Sequence, residues 1–142
     1  SLTGELFVHH FLHVAPVAYE GEKMSKSLGN LVYADTIIHE IGEMCTRMML
    51  LSHHYREGYE HHTDDAHAAQ SRCSRWSEAL EGFKGESKRG ETFNTVRAAL
   101  SFDLDTPLAM NLIDQAIEKL KLEPNNDELK ADILSAKELL GF

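Results

Sequence analysis

Cysteine, proline and tryptophan are scarce in this chain, with two, three and one in 142 residues. Each scarcity excludes something. Two cysteines, both inside helical patterns, cannot frame a disulfide scaffold and fit a reducing, cytoplasmic setting. No apolar run approaches the ~20 residues that span a bilayer, so no membrane partner is expected. The first residues, Ser1-Leu2-Thr3-Gly4, are polar and do not read as a leader peptide. Basic residues are also few: 14 Lys and Arg against 23 Asp and Glu give a net charge of −9. A free-standing nucleic-acid module draws most of its affinity from a basic face, which this chain lacks outside Lys84–Arg89. A free-standing helical module that docks on nucleic acid is therefore disfavoured.

What is present is an ordinary globular balance, 42% apolar and 26% charged, enough for one or two small domains. The pattern predicts a mainly α fold: a short N-terminal helix, a strand and a lysine loop, followed by a bundle of about five amphipathic helices. Leu6, His9, His10 and His13 share helical spacing over Glu5–His13, and Val14 to Tyr19 reads as a strand turned by Gly21. Beyond the loop, Asp35-Thr36 starts a short helix that breaks near Gly42. The next carries Met44, Met48 and Leu51 on one stripe, with Cys45 and Met49 beside it. Thr63 is placed as the N-cap of a seam of Ala66, Ala69, Cys73, Trp76, Leu80 and Phe83. The glycines of Gly82–Gly90 suggest a mobile linker. Phe93, Val96 and Leu100 begin the next stripe. Thr106 is read as the N-cap of a helix with Leu108, Leu112, Ala116 and Leu120 inward, and Leu129, Ile133, Ala136 and Leu140 line the last. The division expected is 1–34, 35–83, a linker at 84–90, and 91–142.

Chemistry concentrates in Lys23-Met24-Ser25-Lys26-Ser27-Leu28-Gly29-Asn30. Two ammoniums and two hydroxyls in so short a loop suit a polyphosphate, and they act most where charge builds on a leaving pyrophosphate. His9, His10 and His13, with i, i+4 spacing between His9 and His13, invite a metal reading. No carboxylate or cysteine ligand follows at close spacing, Cys73 falls on an apolar seam, and there is no CxxC, so no metal site is assigned.

Lys23 to Ser27 resembles the KMSKS loop of class I aminoacyl-tRNA synthetases. The run from His13-Val14 through Glu20-Gly21-Glu22 to Asn30, with Leu50-Leu51-Ser52-His53-His54-Tyr55-Arg56, is similar to the cysteine-activating branch. That branch holds cysteinyl-tRNA synthetase and mycothiol cysteine ligase. Ser74 to Ala79 and Ala98 to Pro107 resemble the ligase, as does the early end of the chain. Ala15-Pro16 and Glu60-His61-His62 depart from the usual pattern of the family. The resemblance implies a ligase that forms cysteinyl-adenylate from ATP, with Mg accompanying the nucleotide, and passes cysteine to the amine of glucosaminyl-inositol; the alternative acceptor is tRNA. It implies that Lys23 and Lys26 contact the ATP phosphates, Lys26 in the transition state. Met24, Ser25 and Ser27 would complete the phosphate loop, and the Val17 backbone would pair with adenine. Tyr55 and Arg56 are assigned to structure between helices. The HIGH-type motif, the nucleotide-binding sheet and the zinc ligands expected of the branch are missing from these residues. The chain is therefore expected to be the C-terminal part of a larger enzyme, partnered by an N-terminal catalytic domain and inactive alone.

Overall fold

A computed structural model of the chain describes Gly4 and residues 8–142. Three short strands and six helices are described: β1 (Val17–Tyr19), β2 (Glu22–Lys23), α1 (Ala34–Ile41), α2 (Glu43–Leu51), β3 (Tyr59–Glu60), α3 (Asp64–Ala79), α4 (Glu91–Ser101), α5 (Thr106–Leu122) and α6 (Asp127–Leu139). The mainly α reading holds. The expected N-terminal helix does not: residues 8–16 carry no regular structure, while Glu5 and Leu6 lie outside the described residues. A helix that short needs a packing surface to be stable, and Phe11, Leu12 and Val14 remain exposed.

The sheet has the order β2-β1-β3. β1 and β2 form a hairpin in which Tyr19 faces Glu22 across a two-residue turn. Glu20 and Gly21 both take positive φ there, 55° and 78°, the left-handed pair that matches strand twist in a tight hairpin. β3 lies parallel to β1, Val17 opposite Tyr59 and Ala18 opposite Glu60. Between β2 and β3 the chain passes through the lysine loop, α1 and α2.

The helices share one apolar core. Met48 from α2 and Trp76 from α3 meet Val96, Met110, Ile113, Ile117, Ile133, Ala136 and Leu140. Trp76 is 1% exposed, stands edge-on to Phe142 with ring centres 5.4 Å apart, and donates its indole N–H to Asp114 Oδ1 at 2.6 Å. A buried Trp needs such a partner for its polar edge. Two stripes rotate relative to expectation. On α2 Met48 and Met49 are buried while Met44 is exposed. On α5 the inward face is Ala109, Met110, Ile113, Ala116, Ile117 and Leu120, which leaves Leu108 exposed. Caps shift too. Asp105, not Thr106, caps α5, its carboxylate accepting from Leu108 N–H at 2.9 Å. Thr63 makes no capping bond; Asp65 instead accepts from His62 N–H at 2.8 Å. No described helix is long and apolar enough to cross a membrane.

Candidate nucleotide-phosphate site

Lys23 ends β2, and Met24 to Asn30 form the loop that follows it. Its base is tied to the sheet, because Met24 N–H donates to the Val17 carbonyl at 3.0 Å. Asn30 closes the other side: its Oδ1 accepts from Ser25 N–H at 2.9 Å, and its amide donates to the Lys23 carbonyl at 3.4 Å. Inside the loop, Ser25 Oγ lies 3.2 Å from Ser27 Oγ and accepts from Leu28 N–H at 3.3 Å. Gly29 takes φ +70°, a conformation that admits glycine without strain. The two serines thus brace the turn, and the lysines are left outward. Lys23 and Lys26 are exposed, and neither joins an ion pair among the described residues. A braced loop that presents two free ammoniums is suited to a polyanion.

Val17 is half-buried on β1. With Leu12, Val14, Leu50, Leu51 and Tyr59 it walls a largely apolar groove of about 350 Å³ beside the sheet. Its carbonyl is already an acceptor for Met24 N–H. Met24 is half-buried.

Three residues outside the sequence assignment support this assembly. Asn30 had a signal, as the last residue of the recognised run. Expected to follow from its two bonds, Asn30→Ala leaves the loop ends untied, and amide exchange of Ser25 and Leu28 should accelerate at least tenfold relative to the parent. Glu60 had a weaker signal; its Oε1 accepts from Gly21 N–H at 2.7 Å and fixes the hairpin turn. Asp103 had none. Its carboxylate receives Arg56 Nε at 2.5 Å, Arg56 Nη2 at 2.8 Å and the Tyr55 hydroxyl at 2.5 Å. Tyr55 and Arg56 thus join the segment after α2 to the turn between α4 and α5.

Hydrogen bonds from Arg56, then Tyr55, hold the Asp103 carboxyl down at about 2, against an ordinary 3.8. A depressed carboxyl contributes stability that is complete above the unfolded value and disappears as pH falls through the folded one. The clamp should therefore be intact above pH ~4 and open towards pH ~2. A ¹³C titration of the Asp103 carboxyl checks this; a midpoint near the ordinary value would refute it.

The histidines do not gather into a site. His9, His10 and His13 are exposed on the irregular segment, and no three His, Cys, Asp or Glu side chains among the described residues are arranged to hold a metal. His53 stacks on Tyr59 at 3.7 Å, and burial pulls its pKa down. Cys45 and Cys73 are both free and half-buried. Burial, reinforced by the Cys45 thiol beside it, pushes Cys73 up to about 12, so it stays a thiol at neutral pH.

Comparison with known proteins gives the family. Residues 1–71 match the family model for the class I (C) tRNA synthetase catalytic domain. Curated relatives named L-cysteine:1D-myo-inositol 2-amino-2-deoxy-alpha-D-glucopyranoside ligase are similar. That of Thermobispora bispora is 42% identical over 113 residues, 79% of this chain and 28% of the relative. That of Acidothermus cellulolyticus is 38% identical over 142 residues, 99% of this chain and 34% of the relative. The chain thus spans about a third of the length of these relatives. Among solved structures, the LeuRS of Agrobacterium radiobacter K84 in ternary complex with tRNA and LeuAMS has a TM-score of 0.68. It covers 89% of this chain and 20% of that one at 18% identity, a likeness of fold alone.

Proposed function

Since the chain belongs to the class I (C) tRNA synthetase catalytic-domain family, we propose that it is the C-terminal part of an ATP-dependent cysteine ligase. The observation that carries this reading is the braced loop with Lys23 and Lys26 exposed and in no ion pair among the described residues, beside a groove walled by Val17. ATP, with its Mg ion, is the substrate. A carboxylate oxygen of cysteine attacks the α-phosphorus, the bond to the bridging oxygen breaks, and pyrophosphate leaves with the electron pair. Lys26 meets the charge growing on that leaving group and Lys23 holds the β- and γ-phosphates. Ser25 and Ser27 brace the turn between them, Met24 seats it, and the Val17 backbone lies against adenine. The acceptor amine of glucosaminyl-inositol then attacks the cysteinyl carbonyl, losing a proton as AMP departs. The names of the relatives support this acceptor.

The zinc that selects cysteine in this branch does not fit the residues described here, and no step is routed through it. Its ligands, the nucleotide-binding sheet and the first half of the active site belong to the N-terminal catalytic domain. Within the chain we read 1–34 as the end of that domain, 35–83 as a helical stem-contact-like domain, 84–90 as a linker and 91–142 as a C-terminal helical unit, in a cytoplasmic enzyme.

A protein of the relatives' full length is the object to test. With ATP and cysteine it should exchange labelled pyrophosphate into ATP, and with glucosaminyl-inositol it should give the cysteinyl amide. Cysteine transfer to tRNA instead would select the other acceptor, and absence of exchange would refute adenylation. The 142 residues alone should show no exchange.

A further inference from the structure

We infer that Asp103 is a positioning residue for the lysine loop, acting through Arg56, Tyr55 and β3; this rests on the proposed role of that loop. Asp103 and Leu104 lie in the turn between α4 and α5 with φ of +56° and +54°. Leucine rarely adopts that left-handed conformation and aspartate does so only occasionally, and such conformations persist where neighbours over-determine them. The neighbours are concentrated in three consecutive residues. Arg56 and Tyr55 hold the Asp103 carboxylate, and His54 Nε2 lies 3.1 Å from the Asp103 carbonyl oxygen.

That segment is joined to the sheet on its other side. The Tyr55 carbonyl accepts Ala15 N–H at 2.8 Å, just before β1. A Cβ on Gly58 would stand 3.2 Å from the Pro16 carbonyl, so the two backbones run in close contact. β3 then pairs with β1, Glu60 holds the hairpin turn through Gly21, and Val17 holds Met24 at the start of the loop. A continuous series of contacts therefore runs from the α4–α5 turn to the loop. The two-residue strands β2 and β3 give the hairpin little rigidity of its own. The clamp on Asp103 ties this segment to the α4–α5 turn of the helical bundle, from which the loop is aimed.

Contiguity alone does not demonstrate coupling, and a double-mutant cycle does. In the full-length protein, Asp103→Ala should lower kcat for cysteine-dependent ATP–pyrophosphate exchange by about 10- to 100-fold, the loss a displacement of about 1 Å produces. KM for ATP should stay within about twofold, because the aim of the loop is used in the transition state. On a Lys26→Ala background the same change should cost less than about twofold, and Asp103→Glu should recover part of the loss. A merely structural residue would give effects that multiply, and that result overturns the inference while leaving the lysine reading in place. Lys26→Ala with unchanged exchange overturns both. Where Asp103→Ala does not fold, Tyr55→Phe removes one hydrogen bond and no charge; its smaller loss, about threefold, must likewise vanish on the Lys26→Ala background.

Discussion

Lys26→Ala in the full-length protein should lower kcat for cysteine-dependent pyrophosphate exchange by about 10²–10³-fold, with KM for ATP changed by less than about threefold. The asymmetry follows from where the charge is needed. An ammonium about 4 Å from a phosphate oxygen is worth ~4 kcal/mol at an effective dielectric of 20. A lysine exposed before the reaction exchanges water for phosphate, so little of that is felt by bound ATP. More is felt when the bridging oxygen takes up charge and cannot reorganise water quickly. Lys23→Ala should cost less, roughly tenfold, and raise KM, because in the proposed role it meets phosphates whose charge is the same before and during the step. Changing both lysines should cost less than the product, since each partly screens the same pyrophosphate. Arginine at position 26 should restore little: its charge is spread over a planar fork rather than concentrated at one flexible point. Normal exchange after loss of both amines would remove the basis of the proposed function.

The loop was legible because its chemistry is contiguous: eight neighbouring residues carry the lysines, the hydroxyls, the flexible glycine and the closing asparagine. Helix existence was legible for the same reason, since periodicity is local. What was missed is held together across long separations. Glu60 reaches Gly21 across 39 positions, and Asp103 reaches Arg56 across 47. No spacing rule connects such pairs. β3 is two residues in a polar stretch and acquires its identity only from β1. The α5 stripe was misplaced because Leu108 and Met110 are equally apolar on paper. Only packing against α4 and α6 buries Met110 and leaves Leu108 in water. The histidine spacing at His9–His13 failed differently: it is helical in register, but the neighbouring Phe11, Leu12 and Val14 find no surface to pack against and stay exposed.

Asp132→Ala should be the most destabilising single change outside the apolar core, by about 3–4 kcal/mol. Asp132 sits on α6, is 6% exposed, and faces the start of α4. Its Oδ1 accepts Gly90 N–H at 2.8 Å and Phe93 N–H at 2.9 Å, and its Oδ2 accepts Thr92 N–H at 2.7 Å. Three of the N–H groups at this helix start are thus satisfied by one carboxylate from another helix, and its charge suits the positive end of the α4 dipole. Alanine would strand all three, two of them buried, with no room for compensating water unless the helices part. Asparagine keeps the acceptor facing Gly90 and Phe93 but turns an amide towards Thr92 N–H, so Asp132→Asn should cost about half as much. Gly90 is matched to the same contact: a Cβ there would stand 2.6 Å from the Asp132 carboxyl carbon, so Gly90→Ala should destabilise as well. Denaturant titration of the three variants orders them. Proteolysis adds an independent reading, because Lys88 is held to α6 by its N–H to Ala131 and its carbonyl to Ser135. When the carboxylate is lost, cleavage after Lys88 or Arg89 should speed up with the equilibrium opening of α4 from α6. Unchanged cleavage in Asp132→Ala would mean that the apolar contacts between these helices, and not the carboxylate, secure the start of α4.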